Sequence, residues 1–313
     1  MMMEDAERTY ELTAKTDLWT GDADRKGGHL ITTGLLGSIR WWFEVLVRAL
    51  NGHACDPTRT QCEGRNHCVI CELFGCTGWA RKFRFEVLDE KGSTQADQIE
   101  KEHNFSLRFT PLRPIHIEEW SLLDATLHLI AEYGAIGGRT VFKPSDESSR
   151  ENEPHHKDFG LIDIVSSPPS VQTPHDNLKK YLSQWQKLDH GDFAWASLRH
   201  FWCVNGQTLT RQDNNTSSFN RVIKRPEPKQ KSNQNDSWLA GYRPNPRIKI
   251  EAESKKVFSF KAPARTFGFV KPGLIEFEEM RAHLENLWKL DDGQILTGDA
   301  ILGQLFPKGE KQA

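Results

Sequence analysis

What this chain can fold into is constrained most by the way its apolar residues change period. Tyr10, Leu12, Ala14, Thr16 and Leu18 alternate with more polar neighbours, the two-residue repeat of a half-buried strand. A Gly- and Asp-bearing loop, "TGDADRKGGHLI", leads into "TTGLLGSIRWWFEVLVRAL". There Leu35, Leu36, Ile39, Trp42, Phe43, Leu46, Val47 and Leu50 recur at helical spacing and predict a core helix. Thr32 or Thr33 is placed to cap it, and Arg40, Glu44 and Arg48 are spaced to pair in solvent on the opposite face. Period two returns at Phe83, Phe85 and Val87 and again at Phe105, Leu107 and Phe109, predicting two strands joined by a polar hairpin. Trp120, Leu123, Leu127, Ile130 and Ala131 mark a second helix that ends at Gly134, and "FGLIDIV", residues 159–165, reads as a short buried strand. Strand, helix, strand, strand, helix, strand is the split βαβ order of an α+β, ferredoxin-like (RRM-like) fold.

Beyond 165 the pattern weakens. "SSPPSVQTPHDN" reads as a linker, "LKKYLSQWQKL" and "FAWASLRHFW" as helices, "RIKIEA" and "KVFSFKA" as strands, and "LIEFEEMRAHLENLWKL" as a helix. The expected organisation is a domain over 1–165 with a cysteine-rich insert at 53–78, followed by a second α+β, ferredoxin-like domain over 166–313. Two stretches, 143–158 and 221–236, give no legible structure.

Charge narrows the function. With 41 Lys and Arg against 43 Asp and Glu, net charge −2, the chain lacks the overall positive field of a non-specific nucleic-acid binder, so any RNA surface is a local stripe. Ten Trp and seventeen Phe suit a stiff core and also base stacking. No apolar run of about 18 residues suggests a membrane span, and the acidic start without an apolar stretch leads us to expect a cytoplasmic protein.

Five of the six cysteines lie between Cys55 and Cys76, and Cys55, Cys62, Cys68 and Cys71 give C-x6-C-x5-C-x2-C. In a reducing compartment such crowding points to metal rather than disulfides. The C-x2-C pair sets two sulfurs on one ion from a tight turn, the upstream pair closes a tetrahedron, and a structural Zn2+ is the expected ion. His53, His67 and Cys76 are the alternative ligands.

The segments "TTGLLGSIRWWFEVLVRAL", "CELFGCTGWARKFRFEV", "YGAIGGRTVFKP" and "DFGLIDI", in that order, resemble the RAMP superfamily of CRISPR proteins, and within it the first RAMP subunit of the type III-B (Cmr) effector complex. The resemblance implies a non-catalytic, RNA-binding subunit of an antiviral RNA-guided complex. Such a subunit caps the assembly near the guide 3′ end and contacts guide CRISPR RNA, target RNA and other RAMP subunits, while another subunit cuts. One departure is the insertion "VFKPSDESSRENEPHHK" after the glycine-rich loop, where the family's loop runs directly into a strand.

Residues suited to RNA are those that neutralise phosphate, stack, or let backbone approach closely. Arg25 and Lys26 sit in the first loop before a helix N-terminus. Arg40 and Trp41 lie off the apolar stripe, where pairing of Arg40 with Glu44 competes. Gly137 and Gly138 precede Arg139 and Lys143, although these glycines also suit a simple chain reversal. The rival reading is an endoribonuclease using Asp22 and Asp24, or His155 and His156 as acid and base; a third is an assembly subunit that binds only protein.

Overall fold

The computed structural model describes residues 3–4, 6–21, 27–56, 62–140, 144–150, 153, 156–171, 173–188, 193–213, 216–224, 238–241, 253–291 and 293–306. In chain order the elements are β1 (Met3–Glu4), β2 (Arg8–Ala14), α1 (Thr32–Ala49), α2 (Val69–Phe74), β3 (Phe83–Leu88), β4 (Asn104–Pro111), β5 (Ile115–His116), α3 (Ile117–Tyr133), β6 (Ile162–Ser166) and α4 (His175–Leu182). There follow β7 (Phe201–Asn205), α5 (Ser218–Val222), β8 (Val257–Lys261), β9 (Ala264–Phe269), α6 (Phe277–Leu287), β10 (Leu296–Thr297) and α7 (Gly298–Leu305). Internal contacts gather the chain into two units. One is Met1–Gly138 with Phe159–Arg199 and Asp299–Ala313; the other is Arg139–Asp158 with His200–Gly298.

The first unit is a mixed α+β body. Its sheet runs β3-β4-β2-β6, every neighbouring pair antiparallel. Register sets Phe85 opposite Phe109 and Tyr10 opposite Leu107, so the alternating apolar residues share one face, and α1 and α3 contact each other in the same unit. Tyr10, Leu12, Phe83 and Phe109 are fully buried there, with Trp120, Leu123 and Leu127 from α3. Phe83–Phe109 and Tyr10–Phe109 meet edge to face at 5.2 and 6.0 Å, the geometry that aromatic quadrupoles favour.

The opposite face carries Thr9, Glu11 and Thr13 of β2, Arg84 and Glu86 of β3, Ser106, Arg108 and Thr110 of β4, and Asp163 and Val165 of β6. These described positions hold no aromatic ring. The charges neutralise one another: Glu86 bridges Arg84 and Arg108 at 3.1 Å each, and Lys15 meets Asp163 at 2.6 Å. The sheet aromatics that composition offered for base stacking are spent on the core.

Four local expectations are corrected. The α1 N-cap is Ile31 and makes no side-chain cap; Thr20, from the preceding strand exit, accepts from the Ile31 amide at 2.6 Å instead of Thr32 or Thr33 capping. Glu44 and Arg48 are not solvent partners: they are 4% and 7% exposed, and Arg48 donates to the Ala196 carbonyl at 3.0 Å, 148 residues away. Burial raises the Glu44 pKa against the pull of Arg48 and Arg40, and lowers that of Arg48 against Glu44. The strand at the end of "FGLIDIV" begins at Ile162, pairs among the described residues with β2 alone, and buries only its first residue, as an edge strand does.

The second unit has its own antiparallel sheet, β10-β7-β9-β8, with Phe201, Phe267 and Phe269 at 5.2–5.6 Å ring separations. "FAWASLRHFW", read as a helix, is the fourth correction: a 3-10 turn at Leu198–His200 gives way to β7. The continuous apolar run Phe201–Val204 is ambiguous by period, and pairing with Phe267 and Phe269 decides it. "KVFSFKA" and "LIEFEEMRAHLENLWKL" form β8 and α6. "RIKIEA" lies outside the described residues. Cys203, the sixth cysteine, is fully buried on β7, and burial pushes its thiol up to about 12. No helix among the described residues is long and apolar enough to cross a membrane.

Candidate metal centre and nucleic-acid loops

Local hydrogen bonding draws the four cysteines together. Asn66 and Glu63 exchange backbone hydrogen bonds of 3.0 Å around a turn with Gly64 at φ 53°. That reversal brings the Cys68 amide to 3.3 Å from the Cys62 sulfur. Cys68 is then the N-cap of α2, and Cys71 lies in its first turn. Cys55 arrives from the end of α1, its Sγ 3.5 Å from that of Cys71. All four sulfurs fall within 4.8 Å of one another and all four residues are buried. Tetrahedral Zn–S bonds of about 2.3 Å require sulfurs about 3.8 Å apart, so the cluster fits a tetrathiolate ion of that size. Sulfur hydrogen bonds from Cys55, Cys62 and Cys71 lower the Cys68 pKa, while the bond to Cys68 and burial raise that of Cys62.

The two histidines are turned elsewhere, whereas Cys76 lies beside Cys71 without joining the four clustered sulfurs. His53 Nδ1 is 2.8 Å from the Leu188 carbonyl, and Cys76 points its thiol at the Thr77 carbonyl at 3.7 Å. His67 sets its ring nitrogens 2.6 Å from the Gly64 carbonyl and 2.7 Å from Glu72.

That histidine opens a network the sequence did not disclose. Glu72 reaches Lys82 at 2.7 Å, and Lys82 reaches Glu119 at 2.9 Å, with Lys82 3% and Glu119 0% exposed. Glu119 in turn accepts from the His116 amide at the start of α3. Burial works to raise the Glu72 pKa, but Lys82 and His67 hold it below the ordinary carboxylate value. One cation thus joins the insert, the start of β3 and the start of α3. Trp79 closes the outer side, between His67 (4.6 Å between rings) and the Arg113 guanidinium (4.5 Å).

Arg40, expected on RNA, faces this centre. Its Nε donates to Glu44 at 3.2 Å, Nη1 to the Gly75 carbonyl at 3.0 Å, and Nη2 to the sulfurs of Cys71 at 3.4 Å and Cys55 at 3.8 Å. Gly75, at φ 87°, has no room for a side chain: a Cβ would lie 2.9 Å from the Arg81 amide. Trp41 is half-buried and meets Trp42 edge to face at 4.9 Å.

The glycine loop has a physical reason of its own. Gly134 ends α3 with φ −109°, so it is not there for a left-handed cap; its Cβ would come within 2.6 Å of the Trp42 ring. Trp42 donates from Nε1 to the Ala135 carbonyl at 2.8 Å, fixing the loop to α1. Gly137, at φ 83°, donates to Ser38 Oγ of α1 at 3.2 Å, and Gly138 donates to the Trp19 carbonyl at 2.7 Å. A Cβ on Gly138 would lie 2.6 Å from Trp19 Cε3, and Cβ atoms on Gly21 and Gly27 would fall on the same indole. Trp19, which sequence reading passed over, is therefore the hub on which two glycine-bearing stretches converge.

Arg139 follows with φ 61°, a left-handed conformation uncommon for any residue but glycine. Arg25, Lys26 and Lys143 lie outside the described residues, as do Asp22, Asp24 and His155. His156 is described, in the second unit, with Nε2 2.8 Å from the Glu147 carbonyl.

Residues 11–142 match the RAMP superfamily. The match runs from β2 through the cysteine insert to the glycine loop, as the sequence motifs led us to expect. Among solved structures the chain is similar to Cmr1 from Pyrococcus furiosus in its apo form, at 10% identity over 96% of this chain and 97% of that one, TM-score 0.44. It is also similar to a chain of the type III-B Cmr-beta complex bound to cognate target RNA and AMPPnP, at 10% identity over 91% and 99% of the two chains, TM-score 0.48. No curated protein matches it in sequence.

Proposed function

We propose that this chain is a non-catalytic RNA-binding subunit of a type III-B (Cmr) RNA-guided CRISPR complex, capping the assembly near the guide 3′ end and contacting guide and target RNA beside other RAMP subunits. The observation that carries the reading is the RAMP match over residues 11–142. The strand order β3-β4-β2-β6, with α1 and α3 in the same unit, supports a ferredoxin-like domain whose strands fall within 1–165, and the β10-β7-β9-β8 sheet supports a second α+β domain, built from 200–298 with 139–158 rather than from 166–313 as a block. The polar, self-neutralised outer face of the sheet directs RNA away from strand stacking and toward the loops. There Arg25, Lys26, Arg139 and Lys143 neutralise phosphate, Gly137 and Gly138 keep the backbone close, and Trp41 offers a ring. The start of α1, with no acidic residue in its first turn, favours anions. The four cysteines hold a structural Zn2+, whose chemistry there is to cross-link the turns around α2, beside the apolar anchorage that Val69, Ile70, Leu73 and Phe74 give that helix.

Two measurements test this. Binding of guide-length RNA across a salt series is expected to lose about one unit of log–log slope on Arg139→Ala; an unchanged slope removes Arg139 from the site. Incubation with labelled RNA, with and without divalent metal, is expected to leave it intact. Cleavage abolished by replacing Asp22 or Asp24 would make the chain a nuclease instead.

A further inference from the structure

Arg40 sits on α1 among residues that bury themselves, and its side chain is 24% exposed. A guanidinium has five N–H donors in a fixed plane. Here they are directed at one carboxylate, one carbonyl and two sulfurs. The two sulfurs it reaches, Cys55 and Cys71, are not the two served by backbone amides: the Cys68 amide donates to Cys62 and the Cys71 amide to Cys68. The donors are thus divided among the ligands rather than duplicated.

Four thiolates around a divalent ion carry a net charge of −2, and a buried net charge is costly unless a counter-charge lies beside it. We propose that Arg40 is a positioning residue of the metal centre rather than a phosphate ligand. By donating to the Cys55 and Cys71 sulfurs it offsets half of the tetrathiolate's excess charge, and through the Gly75 carbonyl it ties the turn after α2 to α1. Partners outside the ligand shell commonly set metal affinity within a factor of 10–100. Lysine cannot reproduce the arrangement, because a single ammonium does not span both sulfurs and the carbonyl in one plane. This inference rests on the four-cysteine metal reading and is independent of RNA binding.

The test uses the full chain loaded with Zn2+ or Co2+. Competition against a chelator is expected to show Arg40→Met holding metal about 10–100-fold more weakly than wild type, with Arg40→Lys in between. The sulfur-to-cobalt charge-transfer band is expected to move to lower energy in Arg40→Met, because thiolates without hydrogen-bond donors give up electrons more readily. The salt slope for RNA in the metal-saturated variant is expected to match wild type. Affinity and cobalt spectrum both unchanged in Arg40→Met would overturn the inference, as would a slope lower by about one with metal affinity intact. Should Arg40→Met not fold, Arg40→Lys decides by the same two readouts. Failure of the wild-type chain to take up metal would instead remove the four-cysteine reading.

Discussion

Residues 62–79 and residues 134–138 are both short, turn-rich stretches beside a helix end, and both touch α1, yet they are held in opposite ways. The insert is fixed by donors and charges: sulfur to amide, Arg40 to sulfur, Glu72 to Lys82 to Glu119. The glycine loop is held by neutral hydrogen bonds to Trp42, Ser38 and the Trp19 carbonyl, and its course is set by shape, with Gly134 against Trp42 and Gly137 and Gly138 against Trp19. A polar anchorage depends on every partner being present, since a lone buried charge is costly. A steric anchorage depends on nothing being added. The difference predicts that the insert fails by deletion and the loop by enlargement.

The largest effect should come from taking the metal away. Structural zinc contributes on the order of 10 kcal/mol to small sites, so chelation should remove amide-exchange protection across residues 62–79 while β2 and β4 keep theirs. Protection retained throughout would mean the insert is not metal-held. Next is Lys82→Met, which removes the buried counter-charge of Glu119 and leaves Glu72 with His67 alone, and should destabilise the chain by about 3–5 kcal/mol in denaturant unfolding. Adding Glu119→Gln should recover part of that, and a cost under 1 kcal/mol for Lys82→Met alone would dissolve the network. Smallest is Gly138→Ala, expected to cost about 1–3 kcal/mol through overpacking in wild type but very little in a Trp19→Ala background, where the obstructing ring is gone. Equal costs in both backgrounds would show that the indole does not define the loop.

How much of this was legible depended on how far apart the partners lie in the chain. Alternation announced β2, β3 and β4, and helical spacing announced α1 and α3, because those signals repeat every two to four residues. The four sulfurs were legible because ligand spacing is local too. Arg48 and Glu44 looked like surface residues, since the carbonyl that receives Arg48 belongs to Ala196. Lys82 has no carboxylate at a local pairing distance that marks it as a buried cation, and only the fold brings Glu119 to it. Gly134 read as a helix stop, whereas the ring that excludes its side chain is Trp42. Strand β9 was missed because "ARTFGF" does not alternate; it is paired on both sides, with β7 and β8.

The interleaving of the two units has a consequence for synthesis. The chain leaves the first unit after Gly138, returns at Phe159, leaves again after Arg199 and returns at Asp299. The helix then formed lays Gln304 against the Tyr133 hydroxyl at the end of α3. A ribosome making about 5–20 residues per second releases that last helix many seconds after the α3 helix it lies against. During translation the first unit must wait, its α3 flank uncovered, for a piece still to be made.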